Sequence, residues 1–434
     1  MSTKAKIDVH HVTRVEGHGN IVVDVDQGKI NKIEWQVPEA PRFFEAMVVG
    51  RPYDEIATIT SRICGICSIG HTFASLKATE AAMGIEIDEI TFKLRELLLH
   101  GETLQSHILH VCYLAVPDLV RVSSVVPLVE THRDVVLLVT KLHRLANELC
   151  NVIGGRTTHP IRARIGQFSM YPTKKELQEL KNRLTDSVAD LKTLAGFVKS
   201  IAGAIPDFTR ETEYLAMTNK KDYAFYDGPL TTTDIGGKTI PVSEYKSVVN
   251  EFVVPQSTAK YGKFNRESFM VGAIARYNNN YKQLTALSAE VGQMLGLNGV
   301  SHNPFHNNIA QVVESVFAVE RSIEIIDWLL DQDLVYRKKE IKVKAGNGAS
   351  AVEVPRGILF HEYTYDDKGI CQAANCVIPT NLNHNNIQKD MEALVPQFLD
   401  KGEKELQFLL EMLVRAYDPC ISCSTHYLDV TFKK

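Results

Sequence analysis

Two short cysteine motifs near opposite ends of the chain dominate the sequence: RICGIC at residues 62–67 and DPCISC at residues 418–423. Each motif places two cysteines three positions apart, so their sulfurs can bind one metal centre together. A histidine follows each motif, at His71 and His426. We interpret the long intervening chain, residues 68–419, as the scaffold that brings four thiolates to one place.

Three kinds of site fit two such motifs. A structural zinc site is the usual interpretation, but its cysteine pairs generally lie about 15–20 residues apart. A chain of 434 residues also has a core large enough to fold without a metal. A thioredoxin-like redox disulfide would need only one motif. Four thiolates equally suit a catalytic or electron-transfer centre of nickel, copper(I) or iron. The spacing alone leaves all three open.

The composition is that of an ordinary globular protein, with 44% hydrophobic and 23% charged residues. A net charge of -4 gives no indication of a nucleic-acid partner. No apolar run approaches the length of a transmembrane segment, about 18 residues. The first twenty residues lack the apolar core of a secretory signal. Eight cysteines without such a signal fit a reducing compartment, and we therefore expect a cytoplasmic location, unless a partner carries the export signal.

Apolar residues at three- and four-residue spacing predict long helices over much of the chain. Thr173 and Glu176 form a capping box at the start of one of them. The predicted helices cover residues 43–49, 72–83, 91–115, 131–153, 173–201, 307–334 and 403–417. Alternating apolar and polar residues predict a hairpin over 20–26 and 30–35, a small β-lobe over 222–264 and strands over 351–379.

These elements predict an α+β fold that is predominantly helical, with a central bundle of long helices and small β-lobes. The length allows several lobes. The expected segments are an N-terminal β-hairpin lobe (1–60), the first cysteine motif with the helical bundle (61–205), an irregular α+β lobe (206–300), a bundle helix (301–350), and a β-lobe with the final helix and the second cysteine motif (351–434).

Five motifs together resemble those of the large, catalytic subunit of nickel–iron ([NiFe]) hydrogenases. They occur in the family's order across nearly the whole chain, and their combination is far more specific than any single motif. The residues within these motifs and the compact length of the chain are similar to those of the cytosolic, multi-subunit members. The motifs are RVEGH (14–18), RICGIC with His71, PRG (355–357), IPT (378–380) and DPCISC with His426.

The resemblance implies that the four motif cysteines hold a nickel–iron centre whose iron also carries one CO and two cyanides. Cys64 and Cys420 would be terminal ligands of nickel. Cys67 and Cys423 would bridge nickel to iron. His71 would lie beside a bridging sulfur, where hydrogen bonds from surrounding residues tune a metal site.

The resemblance also implies roles for side chains around this centre. Glu16 matches a glutamate that takes protons from a terminal thiolate, here Cys420. Arg356 matches an arginine that lies over the open face of the metals and, like a hydroxyl, can donate to a cyanide. The remaining matches are Asp118 and Asp418, which would hold that arginine, and Thr380, whose hydroxyl would bond a cyanide. The sequence around Asp118 departs from the family's usual pattern.

A second metal, Mg²⁺ or Fe²⁺, is implied near the C-terminus. Its ligands would be the side chains of Glu45 and His426 and the main-chain carbonyl of Cys376, although Phe43-Phe44 replaces the more usual Arg-Gly. In this family a protease usually removes the residues after the histidine once nickel is bound. Residues 427–432 alternate like a strand, which favours retention of the tail here.

The implied reaction is the reversible heterolytic cleavage of H2 into two protons and two electrons, with either Cys420 or Arg356 as first proton acceptor. No spare cysteine array remains for an iron–sulfur cluster. Electrons would therefore pass to an iron–sulfur small subunit docked near the first cysteine motif, with further flavin or iron–sulfur subunits beyond it. The terminal electron acceptor stays open.

Two other classes of protein are alternatives to this one. The related quinone-reductase subunits of respiratory complexes share the fold as non-catalytic scaffolds, but they lack the four cysteines. The cysteines, together with Arg356 and Glu16, argue against that class. A structural zinc protein is the second alternative, and metal analysis would distinguish it from a nickel–iron enzyme.

Overall fold

The computed structural model describes residues 4–336 and 338–425. His426 and the tail Tyr427–Lys434 lie outside the described residues, so the predicted strand in the tail stays a prediction. The helices are α1 (Phe44–Val48), α2 (Ile56–Thr60), α3 (Ser68–Met83), α4 (Glu89–Ile108), α5 (Val116–Leu119), α6 (Leu128–Thr131), α7 (Arg133–Gly154), α8 (Lys174–Ile201), α9 (Tyr245–Val248), α10 (Ala273–Asn280), α11 (Ala286–Met294), α12 (His306–Leu330), α13 (Pro379–Phe398) and α14 (Glu403–Ala416).

The strands form small, separate sheets. Three of the sheets in the described residues have three strands: the first three strands in chain order pair antiparallel, the last three also pair antiparallel, and the remaining sheet contains one parallel pair. The strands are β1 (Ala5–Val9), β2 (Asn20–Asp26), β3 (Lys29–Gln36), β4 (Ala163–Arg164), β5 (Gln167–Phe168), β6 (Glu213–Met217), β7 (Leu230–Thr232), β8 (Asn250–Phe252), β9 (Tyr261–Lys263), β10 (Phe269–Met270), β11 (Gly346–Val354), β12 (Gly357–Tyr365) and β13 (Cys371–Val377). The predicted N-terminal hairpin is confirmed as β2 and β3.

The predicted central bundle is confirmed. Helix α12 packs against α4 and α8, α4 packs against α7, and α7 packs against α8. The capping box at Thr173 and Glu176 begins α8 as expected. Helix α4 continues into a π-helical turn, Leu109–Ala115, which the apolar spacing did not reveal. Within residues 4–336 and 338–425, no helix is both long and apolar enough to cross a membrane.

One hydrophobic core joins the lobes. It includes the fully buried side chains of Ile21, Leu98, Met270, Val313 and Leu413, one from each of the five predicted segments. Around this core, α3 packs on β11 and β12, while β3 contacts α13 and β1 contacts α14. Helix α3, which follows the first cysteine motif, and helix α14, which precedes the second, are therefore held by the same packed interior.

Helix α13 was missed by the sequence analysis because its first half is rich in asparagine, a poor helix former that competes for backbone hydrogen bonds. Tertiary contacts outweigh that preference here. Asn383 exchanges two hydrogen bonds with the backbone of Val271, at 2.9 and 3.2 Å. Asn381 donates to the carbonyl of Ser424 at 2.9 Å. The asparagines thus bond the helix to its neighbours, including the segment that follows the second cysteine motif.

Candidate metal centre

The fold brings the two cysteine motifs into contact. Cys64, Cys67, Cys420 and Cys423 are each at most 4% exposed. The sulfur of Cys64 lies 3.6 Å from that of Cys420, and the sulfurs of Cys420 and Cys423 touch. These three sulfurs all lie within 4.8 Å of one another, and the backbone N–H of Cys67 donates to Cys64 Sγ at 3.0 Å.

This donor set fits a soft metal. Clustered, buried cysteine sulfurs favour nickel, iron, copper(I) or zinc over hard cations. A hydrogen bond from Cys67 lowers the pKa of Cys64 to about 7, with Arg356 acting in the same direction and burial opposing both. A lower thiol pKa favours the thiolate, which is the form that binds a metal.

Arg356 lies over the cysteines at the tip of the two-residue turn between β11 and β12. Its Nε donates to the carbonyl of Asp418 and its Nη2 to Asp418 Oδ1, both at 2.8 Å. Its Nη1 donates to Cys67 Sγ at 3.4 Å. Burial alone would lower the pKa of Arg356, but the Asp418 charge and the neighbouring thiolates raise it above its usual value. The guanidinium is therefore a fixed, charged donor facing the sulfurs.

Asp118 does not hold Arg356, which corrects the expectation from the resemblance. Its carboxylate accepts hydrogen bonds from Arg14 and from Arg415, whose Nη1 lies 3.0 and 3.1 Å from its two oxygens. The π-helical turn and α5 place Asp118 against α14, where Arg415 is the adjacent cation. Arg415 also donates to the carbonyl of Thr13 at 2.8 Å, so Asp118 joins the N-terminal motif to the helix before the second cysteine motif.

Asp418 has partners that the sequence did not indicate. Gln311 of α12 donates to Asp418 Oδ2 at 3.2 Å. His110, in the π-helical turn, contacts Gln311 Oε1 at 2.6 Å and the carbonyl of Arg415 at 2.7 Å. Asp418 has φ 50°, a left-handed conformation that aspartate tolerates better than most residues. As Pro419 predicts, α14 has ended before this position.

Glu16 lies beside the second cysteine motif. Its carbonyl accepts from the N–H of Ile421 at 2.9 Å, and its Oε2 is 3.2 Å from Cys420 Sγ. Ser422 donates to the carboxylate twice, through its N–H at 3.1 Å and its hydroxyl at 2.6 Å. The same hydroxyl lies 3.5 Å from Oε1 of Glu39, a second half-buried carboxylate.

Thr380 and His71 lie beside the motifs as well. The hydroxyl of Thr380, in the first turn of α13, accepts from the backbone N–H of Cys420 at 3.1 Å. This leaves its O–H able to donate elsewhere. His71, in α3, has Nδ1 3.2 Å from Nε2 of His361, whose Nδ1 is 2.6 Å from the hydroxyl of Tyr363. All of these side chains are buried.

The predicted second metal site is only partly described. Glu45, in the first turn of α1, accepts from the backbone N–H of Cys376 at 2.7 Å, so these two predicted ligand residues are neighbours. The carbonyl of Thr425 accepts from the N–H of Arg42 at 2.7 Å, which brings the end of the described chain close to α1. His426 is outside the described residues, and the Mg²⁺ or Fe²⁺ site stays a prediction.

Comparison with known proteins agrees with this geometry. Residues 42–151 and 207–426 match a family model described as nickel-dependent hydrogenase, and residues 6–40 match one described as HoxL-like. The chain belongs to the nickel-dependent hydrogenase family. The family and the enzyme class predicted from the five motifs are therefore confirmed: the chain is the large subunit of an oxidoreductase that acts on H2.

Relatives of this hydrogenase subunit match it over nearly its full length. The sulfhydrogenase 1 subunit alpha of Pyrococcus furiosus is 32% identical over 425 residues, covering 97% of both chains. The NAD-reducing hydrogenase HoxS subunit beta of Cupriavidus necator is 28% identical, covering 99% of this chain and 96% of that one. A solved NAD+-reducing nickel–iron hydrogenase in the H2-reduced state has TM-score 0.89 at 24% identity, covering 98% of this chain and 100% of that chain. The predicted fold class is confirmed.

Two side chains that sequence reasoning missed hold the motifs of this hydrogenase in place. Arg42 Nη2 donates to the carbonyl of Ile63 at 2.7 Å and to that of Ser422 at 2.5 Å, one from each motif. Glu102, fully buried in α4, accepts from the N–H of Ile69 at 2.7 Å at the start of α3. These partners are remote along the chain, and neither residue belongs to a recognisable local motif.

Replacing Gly17 by alanine is expected to destabilise the hydrogenase and reduce its nickel content. Gly17 has φ 86°, and a Cβ there would lie 2.7 Å from the N–H nitrogen of Ser422 and 2.8 Å from the Cβ of Ile421. Left-handed strain and overpacking together predict a loss of about 3 kcal/mol in the free energy of unfolding. Denaturant titration of the metal-free chain measures it.

The matched control is Gly28→Ala, at φ 75° in open space. This variant has the left-handed backbone strain but no steric clash. We therefore expect a loss of about 1 kcal/mol in the free energy of unfolding and no change in nickel content. Equal losses for the two variants would mean that the close approach of Gly17 to the second cysteine motif does not matter.

Proposed function

We propose that this chain is the catalytic subunit that cleaves H2 reversibly and heterolytically, using a nickel–iron centre held by Cys64, Cys67, Cys420 and Cys423. The observation that carries the proposal is the convergence of both cysteine motifs in the buried interior, with the Arg356 guanidinium on Cys67 and the Glu16 carboxylate on Cys420. A buried set of soft ligands with a charged donor on one sulfur and a proton acceptor on another suits heterolysis of a small apolar molecule.

The surroundings also fit the diatomic ligands that the family resemblance implies for the iron, one CO and two cyanides. A buried cyanide nitrogen needs hydrogen-bond donors. Arg356 and the Thr380 hydroxyl are such donors beside the motifs. When bound, the centre would supply the Lewis acidity that polarises H2 and the redox capacity that takes up its two electrons.

Side chains of the protein would accept and transfer the proton. Glu16 Oε2 is within hydrogen-bond distance of Cys420 Sγ, so it can accept the proton that the thiolate takes up. This contact supports Cys420 over Arg356 as first acceptor. The Ser422 hydroxyl, which both donates and accepts, lies between Glu16 and Glu39 and would pass the proton toward the surface.

Electrons would leave through an iron–sulfur small subunit, with further flavin or iron–sulfur subunits beyond it. In the described part of the chain, the only cluster of potential metal ligands is that of Cys64, Cys420 and Cys423. The cysteines outside the two motifs, Cys112, Cys150, Cys371 and Cys376, are buried and do not belong to that cluster. The relatives are named as subunits of sulfhydrogenases and of NAD-reducing and F420-non-reducing hydrogenases, which supports a multi-subunit enzyme and leaves the acceptor open.

Metal analysis and infrared spectroscopy of the purified enzyme test this proposal. We expect one nickel and one iron at the centre per chain, infrared bands from metal-bound CO and cyanide, and H2-dependent reduction of a viologen dye. Four-coordinate zinc without nickel would overturn the proposal in favour of a structural site.

A further inference from the structure

A buried charge cluster lies directly behind the turn that carries Arg356. Its centre is Arg276 of α10, whose side chain is fully buried. The Nε and Nη2 atoms of Arg276 donate to the two oxygens of Glu314, both at 2.7 Å. Its Nη1 donates to Glu353 at 3.0 Å. No sequence motif pointed to these residues, and the mechanism above does not use them.

The same guanidinium also binds the backbone next to Arg356. Nη1 of Arg276 donates to the carbonyl of Val354 at 2.8 Å, and Nη2 donates to the carbonyl of Pro355 at 3.0 Å. These are the two carbonyls that immediately precede Arg356. Together with the bonds to the carboxylates they use all five N–H groups of the arginine side chain. A lysine, with three donors and no planar fork, cannot reproduce this set.

The carboxylates of the cluster are themselves fixed by other elements. Glu314 of α12 accepts from the hydroxyl of Tyr223 and contacts Nε2 of His107 in α4, each at 2.7 Å. Glu353 accepts from the N–H of Met217 in β6 at 2.8 Å. Burial would raise the pKa of Glu314, but the charge and hydrogen bonds of Arg276 lower it to about 2. The ion pair therefore stays charged and anchors Arg276 to the bundle.

The turn has no room to move on its other side. Gly357 has φ 132°, and a Cβ there would lie 2.5 Å from Val271 Cγ2 and 2.9 Å from the nitrogen of Gly272. Gly272 directly precedes α10, the helix that carries Arg276. The segment that leads into α10 thus contacts the turn, and α10 itself contacts the turn through the side chain of Arg276.

We propose that Arg276 is a positioning residue for H2 cleavage: by holding the carbonyls of Val354 and Pro355, it sets the turn from which Arg356 reaches Asp418 and Cys67. This inference rests on the proposed function, in which Arg356 faces the metal centre. All five N–H groups of Arg276 bind carboxylates or backbone carbonyls, so its effect on the reaction would pass through Arg356.

A double-mutant cycle tests the inference, because residues that act through one another have non-additive effects. Arg276→Lys, Arg356→Lys and the double variant are compared by kcat for H2-dependent dye reduction, each normalised to nickel content. Arg276→Lys alone is expected to lower kcat on the order of 100-fold, the effect of a displacement of about 1 Å in a catalytic group. In the Arg356→Lys background the further loss should be less than about threefold.

Measurements other than turnover distinguish a loss of Arg356 positioning from a general loss of stability. In crystals of metal-free Arg276→Lys, the 2.8 Å contact between Arg356 Nη2 and Asp418 should lengthen or break. In the loaded variant, the cyanide infrared bands should shift as they do in Arg356→Lys. The matched control is Arg95→Lys, another fully buried arginine, paired with Glu80 away from the turn. It should lower Tm without lowering kcat per nickel or shifting those bands.

The outcomes distinguish this inference from the proposed function. If Arg356→Lys keeps full turnover, the role of Arg356 in the proposed function fails and the inference fails with it. If Arg356→Lys is impaired but the losses in the double variant multiply, only the positioning role of Arg276 fails. Should Arg276→Lys not load metal, Tyr223→Phe gives the same test. This variant removes the hydrogen bond from the Tyr223 hydroxyl to Glu314. We expect it to lower kcat several-fold, and this loss of kcat should likewise disappear in the Arg356→Lys background.

Discussion

Glu16→Gln is expected to lower H2-dependent dye reduction by at least about 100-fold, within the range that general acid–base groups contribute. An amide cannot take a proton from Cys420. It can still accept the hydrogen bond from the Ser422 hydroxyl, now at 2.6 Å, and it nearly preserves the shape of the carboxylate. Nickel and iron contents should therefore stay close to those of the unmodified enzyme. Activity and metal content are measured on the same preparation.

A control for this substitution is Glu34→Gln on β3, where the carboxylate pairs with Gln36 and Lys32 and contacts neither cysteine motif. It should leave both measurements unchanged. The activity of Ser422→Ala is expected to lie between those of Glu16→Gln and Glu34→Gln, because Glu16 remains but loses the hydroxyl that connects it to Glu39. If Glu16→Gln loses nickel in proportion to activity, Glu16 holds the second cysteine motif together and carries no proton.

Cys423→Ser is expected to abolish assembly of the nickel–iron centre, with nickel falling to background and no turnover. A serine oxygen is a hard ligand that binds nickel and iron poorly compared with a thiolate. Cys423 belongs to the buried sulfur cluster with Cys64 and Cys420, so its loss leaves an incomplete ligand set. Metal analysis and the CO and cyanide infrared bands of the purified complex measure the effect.

The matched control is Cys371→Ser, also a buried cysteine but located on β13 outside the sulfur cluster. Its sulfur donates to the carbonyl of Ala373 at 3.4 Å, a bond that a serine hydroxyl can also make. It should retain nickel and activity. A fully loaded and active Cys423→Ser enzyme would refute the bridging role of Cys423.

Arg42, Glu16 and Thr380 together show how the second cysteine motif is held. Arg42 bonds the Ser422 carbonyl, Glu16 bonds the backbone of Ile421 and Ser422, and Thr380 bonds the N–H of Cys420. The first two come from the N-terminal region and the third from α13. The second cysteine motif is thus held by residues that are remote from it in the chain, so its geometry depends on packing against the N-terminal region and α13.

Features that depend on residues close together in the chain were predicted from the sequence alone. The two cysteine pairs are local chelating units, so the sequence indicated four sulfurs that could bind one soft metal, although their spacing did not exclude a redox disulfide. The apolar faces of α4, α7, α8 and α12 follow from a repeat of about 3.6 residues, so the bundle was predicted as well. The resemblance carried by residues 14–18 implied that Glu16 lies near Cys420, and the structure places Glu16 Oε2 3.2 Å from Cys420 Sγ.

Only the tertiary structure decided which distant groups meet. Asp118 pairs with Arg14 and Arg415 in place of Arg356, because the fold brings these two arginines, both remote in sequence, next to its carboxylate. Helix α13 forms against the preference of its asparagines, because tertiary hydrogen bonds outweigh local propensity. No pattern in the sequence around Arg276 indicated that it binds the turn that carries Arg356. Candidate metal ligands can be recognised from cysteines a few positions apart in the sequence. The partners of a buried charge, by contrast, depend on distances in space between residues that are far apart in the sequence.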